Sequence, residues 1–258
     1  MITALFYGLL ASSAFPVGVL LGLVWRVPRR VLASIIAFGA GTLVVALTTE
    51  LLGEAVGQGS VLYALGGLFA GALLYIALDA WLDRLARRSP RLESSKPVHV
   101  KEGAAAIPET PREAAVSGAA LLAGAVIDGI PESAAIGMGL ATEKGLGLVL
   151  LGAVFLSNLP EAIGSTAGMR QAGRSNTYIV VAWTLVVIVC TASTVAGYTL
   201  LDGLPAVWTS FLLAFAAGGI LAMLSDTMFP EAFENGGPWV ALATTSGFAV
   251  AILLGELR

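Results

Sequence analysis

Long apolar runs separated by short polar breaks organise this chain. Eight runs stand out, at about 2–25, 31–56, 60–84, 114–140, 146–169, 176–201, 205–231 and 238–256. A membrane-crossing helix needs about 20 mostly apolar residues, so the pattern predicts an all-α integral membrane protein with eight transmembrane helices in a single domain, 1–258. Most connections are short. The exception is RLARRSPRLESSKPVHVKEGAAAIPETPRE, about 84 to 113, which is polar and proline-containing and reads as a flexible loop, with its core at 85–113. The opening MITALFYGLLASS has no basic stretch before its apolar run, so it is expected to be a first spanning helix and not a cleaved signal.

Composition supports the membrane reading. Hydrophobic residues make up 57% of the chain and charged residues 12%, against roughly 25% charged in soluble domains. The chain has no basic run interleaved with aromatics, so a nucleic-acid partner is not expected. The one cysteine, Cys190, lies in an apolar run; it excludes an intramolecular disulfide and reads as a buried thiol.

Basic residues orient the spans. Arg26, Arg29 and Arg30 follow the first. Arg84, Arg87, Arg88, Arg91, Lys96, Lys101 and Arg112 lie in the long loop. Arg170 and Arg174 follow the fifth. With alternating crossings these twelve of the 14 basic residues share one side, and Lys144 and Arg258 fall on the other. The long loop is therefore expected in the cytoplasm and both termini outside.

An internal repeat is also visible. AFGAGTLVVALTTELLGEA (37–55) and AFAAGGILAMLSDTMFPEA (214–232) share seven identities in nineteen positions at an offset of 177. Spans two and seven run in opposite senses in the predicted topology. This suggests a 3+2+3 inverted repeat, with spans one to three related to six to eight and spans four and five between them. Transporters use this design with the site near the midplane. The pairs Gly67–Gly71 and Gly164–Gly168 are spaced for close helix packing.

The acids are the unusual feature. Glu50, Glu54, Asp128, Glu132, Glu161, Asp226 and Glu231 fall within the apolar runs, with Asp79 and Asp83 near an inner end and no interior Lys or Arg. An intramembrane ionisable group is expensive and reads as functional by default. A set of one sign points to a cation as the missing partner, or to protonated acids. Asp128 and Glu132 are spaced i, i+4 and share a helix face. Ser157 and Glu161 repeat that spacing, with Asn158 beside them. Pro131 and Pro160 each precede the glutamate, and a helix-interior proline frees the carbonyl four residues back, here Ile127 and Leu156, which a bound cation could satisfy. The bland alternative is that the prolines only kink the helices and the acids sit protonated against hydroxyls. Asp226, Met228 and Glu231 of span seven and Glu50 and Glu54 of span two are candidates for an ion pathway or a second shell, with Glu50, Asp226 and Glu231 foremost. Met138, Met169 and Met223 read as packing; Trp25, Trp81 and Trp239 as interfacial anchors. The only histidine, His99, is in the loop.

These motifs resemble the ZIP family of zinc/iron-type metal transporters, and the resemblance covers essentially the whole chain. Members commonly carry His-Asn-x-Pro-Glu in span four; this chain has Asp128-Gly129-Ile130-Pro131-Glu132. In span five they commonly carry His or Gln, then Glu, Asp or Asn, then x-Pro-Glu; here it is Ser157-Asn158-Leu159-Pro160-Glu161. The resemblance implies one transport metal site at Asp128, Glu132, Ser157 and Glu161, and an adjoining one at Asn158 with the two glutamates. It also implies inward movement of a divalent ion (zinc, manganese, iron, cadmium or magnesium) by displacement of spans one, four, five and six against the rest. The bacterial inner membrane and a homodimer are carried by the resemblance alone. Aspartate, glycine and serine replace the usual ligands at 128, 129 and 157. Imidazole and thiolate suit zinc, whereas an all-oxygen site suits harder cations. No resident cofactor is expected, and the expected partners are the cation and the lipid bilayer. Two other readings remain open at this level: a non-transporting metal- or proton-binding sensor, and an intramembrane aspartyl protease with Asp128 and Asp226 as its dyad.

Overall fold

A computed structural model describes residues 1–25, 27–87, 111–142, 148–171, 173–201 and 203–256. The described chain is helical throughout: α1 (Ile2–Ser12), α2 (Ala14–Val24), α3 (Arg29–Ala46), a π-helical turn (Leu47–Leu52), α4 (Gly53–Gln58), α5 (Val61–Arg87), α6 (Pro111–Ala141), α7 (Leu148–Gln171), α8 (Asn176–Leu201), α9 (Ala206–Met223), a second π-helical turn (Leu224–Met228), α10 (Phe229–Gly236), a short 3-10 turn (Gly237–Trp239) and α11 (Val240–Glu256). Among the described residues, six stretches are long and apolar enough to cross a membrane. The last, Ala206–Glu256, has 51 residues, over twice the length one crossing needs, and Gly237 at φ 68° followed by Pro238 breaks it. These lengths are compatible with an integral multi-pass membrane protein. The outer faces agree: α5 exposes Leu62, Phe69, Leu73 and Ile76, as a helix facing lipid does.

The borders differ from the expected ones in instructive places. The first span bends at Ser13, whose hydroxyl bonds the Leu10 carbonyl at 2.6 Å and joins α1 to α2 without a full break. α5 runs on to Arg87 and α6 starts at Pro111, so both ends of the expected loop are helical. The seventh span continues past 231 to Gly236 because Pro230 sits in the first turn of α10, where a missing N–H costs nothing. The rest of the predicted loop, with Arg88, Arg91, Lys96, His99 and Lys101, lies outside the described residues, as do Arg26, Lys144 and Arg258. The side chains of Asp83, Arg87 and Arg112 are likewise outside them.

The stretches predicted as spans two and seven are not simple helices. Each carries a π-helical turn, and the two begin at Leu47 and Leu224, 177 residues apart, the offset of the sequence repeat. A π turn contains one residue more than the α turn it replaces and recurs at functional positions. The packing repeats too. The absent Cβ of Gly41 lets α3 approach the Thr244 carbonyl of α11; at the equivalent position Gly218 lets α9 approach the Leu68 carbonyl of α5. Gly247 meets the Phe38 carbonyl, and Gly71 meets that of Phe215. In each case a side chain would collide with backbone, so glycine sets the helix separation, as small residues do between membrane helices.

α6 packs on α8 in the same way, through Gly137 against Thr194 and Gly197 against Ala134. α7 packs on α2 and α3. Among the described residues the apolar core forms two clusters. One, around Leu43, Leu51, Ile136, Leu213, Ile220 and Leu224, joins both π turns to α6 and α7. The other centres on Phe15 stacked against Trp183, centroids 5.2 Å apart, and also holds Cys190. The candidate acids lie beside the first cluster, where α6, α7 and the second π turn meet.

Candidate functional site at the junction of α6, α7 and the second π turn

Pro131 and Pro160 lie inside α6 and α7 without ending either helix. Pro160 leaves the Leu156 carbonyl without its helical donor. That carbonyl faces α3 at Gly39, where an added Cβ would stand 3.1 Å from the oxygen. The acids one residue after each proline then point to a shared space. A cavity of about 30 Å³ is lined by Asp128 and Glu132 of α6, Ser157 and Glu161 of α7, Thr227 and Met228 of the π turn, Met223 of α9 and Glu231 of α10. A volume of that size holds about two water-sized groups. Ile36, Pro160, Gly164 and Ser165 complete the wall, which therefore holds four carboxylates and no basic side chain among the described residues.

Burial is deep. Glu132 is 1% exposed, Ser157 5% and Asp128 8%. Ser157 Oγ lies 3.1 and 3.2 Å from the two Glu132 oxygens and 3.0 Å from the Val154 carbonyl. A hydroxyl has one proton to donate, so the Glu132 carboxylate and the Val154 carbonyl compete for it. Tyr75 Oη of α5 donates to Asp128 Oδ1 at 3.3 Å and stands 3.0 Å from Thr227 Oγ1. This small network ties three elements together at the cavity's edge. Asp79 and Asp226 lie close enough to Asp128 to interact with its charge.

The structure thus brings Asp128, Glu132, Ser157, Glu161 and Glu231 to one cavity. Asn158 is buried at 2% exposure but does not line it. Asp226 is exposed and lies off the wall. Glu50 lines a separate cavity of about 280 Å³, with Thr49, Glu54, Thr142 and Glu256; there Gln58 donates to Glu54 at 2.6 Å. Among the described residues, no group of three or more His, Cys, Asp or Glu side chains closes around a single point as a metal cage does. Trp25, Trp81 and Trp239 are all more than half exposed at or near helix ends. No family model matches the chain, and no curated protein matches it.

Three groups escape the sequence reading: Thr227 and Met223 on the cavity wall, and Tyr75 beside it, bonded to Asp128 and Thr227. Tyr75 has a detectable signal. It stands four residues before Asp79, on the same face of α5. Met228 reaches the wall through the π turn, since an α-helical wheel directs it about 140° away from Met223, whereas Thr227, four residues after Met223, shares its face.

Cys190 is buried behind the site. Its Sγ occupies the space that a side chain at Gly129 would need, 2.8 Å from a Cβ built there. Glycine at 129 thus lets α8 bring a thiol against the α6 backbone beside the acid motif.

Proposed function

We propose that this chain carries divalent metal cations across a membrane through the cavity at Asp128, Glu132, Ser157 and Glu161. The observation that supports this best is the charge inventory of the cavity wall: four carboxylates, oxygen donors from Ser157 and Thr227, and no cation among its described residues. Carboxylates held this way in an apolar span are costly unless a cation or protons neutralise them, and hard or borderline divalent ions take such oxygen ligands. Glu132 and Glu161 are the principal ligands. Asp128 and Ser157 complete the set, and Glu231 is a carboxylate on the path.

In this reading the chain has eight spans in a 3+2+3 inverted repeat, with α9–α10 and α11 as the seventh and eighth. The equivalent glycine contacts and the matched π turns support the repeat. Both termini face outward, the basic loop faces the cytoplasm, and the membrane is the bacterial inner membrane. Resemblance of the two proline–glutamate motifs to those of the ZIP family supports the same conclusion. Cargo enters from outside, is held between α6 and α7, and leaves on the side of the basic loop. The chain performs no covalent chemistry. Uptake by proteoliposomes across a panel of divalent metals tests the reading. Metal-dependent flux that disappears in Glu132→Ala is the expected result; no flux in the wild type, or unchanged flux in that variant, overturns it.

A further inference from the structure

The acids account for charge in the cavity but not for two other groups on its wall. Met223 is 2% exposed and Met228 8% exposed, and both line the space that Glu132 and Glu161 share. In an α-helix, residues five apart point about 140° away from each other at 3.6 residues per turn. The turn that joins these two is π-helical, Leu224–Met228, and its i→i+5 hydrogen-bonding pattern stacks residues five apart. The π turn is therefore what places both thioethers on one side of span seven. It also carries Thr227, whose hydroxyl is held by Tyr75, so the turn is fixed at the cavity's edge.

A methionine in an apolar core usually fills space. Two of them directed at a carboxylate pocket by a local departure from α geometry supply something leucine would not: polarizable sulfur lone pairs. Thioether sulfur favours soft and borderline metals, whereas Mg²⁺ and Mn²⁺ favour oxygen. The wall of this cavity is thus mixed oxygen and sulfur, and not all-oxygen as the acid motifs alone suggest. On the cation-carrier reading above, we infer that Met223 and Met228 are specificity-determining thioether donors, selecting a borderline or soft divalent cation such as Zn²⁺ or Cd²⁺ over Mg²⁺ and Mn²⁺. The carboxylates supply charge and hold any divalent ion; the sulfurs discriminate among them.

The test is Cd²⁺ X-ray absorption on the detergent-solubilised full chain, with binding of Cd²⁺ and Mn²⁺ measured in parallel by calorimetry. The variants are Met223→Leu/Met228→Leu, Cys190→Ser and Met138→Leu. Leucine conserves volume, so packing is little disturbed. The expected result is a cadmium–sulfur shell in the wild type and in Cys190→Ser and Met138→Leu. The double variant should lose that shell, with Cd²⁺ affinity down at least about tenfold, the scale on which loss of a supporting group weakens a metal site, while Mn²⁺ affinity is retained. An oxygen-only shell in the wild type overturns the inference and leaves the carrier reading standing, as does equal weakening of both metals in the double variant. Loss of the sulfur shell in Cys190→Ser assigns the donor to the thiol and also overturns it. A wild-type chain that binds neither metal overturns the carrier reading and this inference together.

Discussion

Tyr75 on α5 donates a hydrogen bond to Asp128 on α6, 3.3 Å away. The same hydroxyl stands 3.0 Å from Thr227 in the second π turn. One phenol thus couples a candidate ligand to the irregular turn that shapes the opposite wall of the cavity.

Removing that phenol oxygen leaves the buried Asp128 carboxyl and the half-buried Thr227 hydroxyl short of a partner. Tyr75→Phe is expected to destabilise the folded protein by about 1–3 kcal/mol, the cost of stranding a buried polar group. Thermal unfolding in detergent would measure it. Thr227→Val should cost less, and the double variant less than the sum, because both singles break the same network. Strict additivity would mean that the two bonds act independently.

The acids differ in reach. Glu132→Gln and Glu161→Gln are each expected to weaken divalent-cation binding by tenfold or more, about 1.4 kcal/mol or above. Glu231→Gln, at the same cavity, should weaken it less. Glu50→Gln should leave binding within about twofold, because Glu50 lines the other cavity and distant charges contribute weakly. Calorimetric titration of the four variants orders them. A Glu50 effect as large as that of Glu132 would place the cation elsewhere.

Much of this arrangement was legible in the chain itself. Apolar runs located the helices because a span must bury about 20 residues in protein or hydrocarbon whatever its neighbours do, and Asn176–Leu201 emerges with the predicted limits. The proline–glutamate spacing placed Asp128, Glu132, Ser157 and Glu161 on one wall because i, i+4 residues share a face. The π turns were not legible. They change which residues face inward without changing composition, so Met223 read as packing and Asp226 as a pathway acid, whereas the turn brings Met228 to the cavity beside Met223 and leaves Asp226 exposed. Nor could sequence show that Glu50 and Glu231, on related spans, serve different cavities.

Equivalent glycines should carry equivalent penalties. Gly41→Ala and Gly218→Ala each drive a methyl into a carbonyl of the neighbouring helix, and each is expected to cost about 1–3 kcal/mol as an overpacking change. Gly57, which has nothing within 4 Å of an added Cβ, is the control: Gly57→Ala in α4 should be neutral or stabilising by up to about 1 kcal/mol. Unfolding midpoints of the three variants in one detergent test this. If Gly41→Ala were tolerated while Gly218→Ala was not, the two halves would not share a packing scheme.

Gly129 and Cys190 form a pair whose sizes are matched. A methyl at 129 would stand 2.8 Å from Cys190 Sγ, and both residues are buried where α6 meets α8. Gly129→Ala alone must displace the thiol or separate the helices, and the Gly137 and Gly197 contacts, already backbone to side-chainless Cα, resist separation. A cost of about 1–3 kcal/mol is expected. Shortening the opposing side chain with Cys190→Ala removes the obstruction, so Gly129→Ala/Cys190→Ala should recover most of that loss, a coupling of the size contacting residues show, about 0.5–3 kcal/mol. Because Gly129 lies between Asp128 and Glu132, the readout extends to the site. Gly129→Ala should weaken cation binding by shifting both acids, and the double variant should restore it along with stability. Restored stability without restored binding would show that the thiol, and not merely the space it fills, is needed beside the carboxylates.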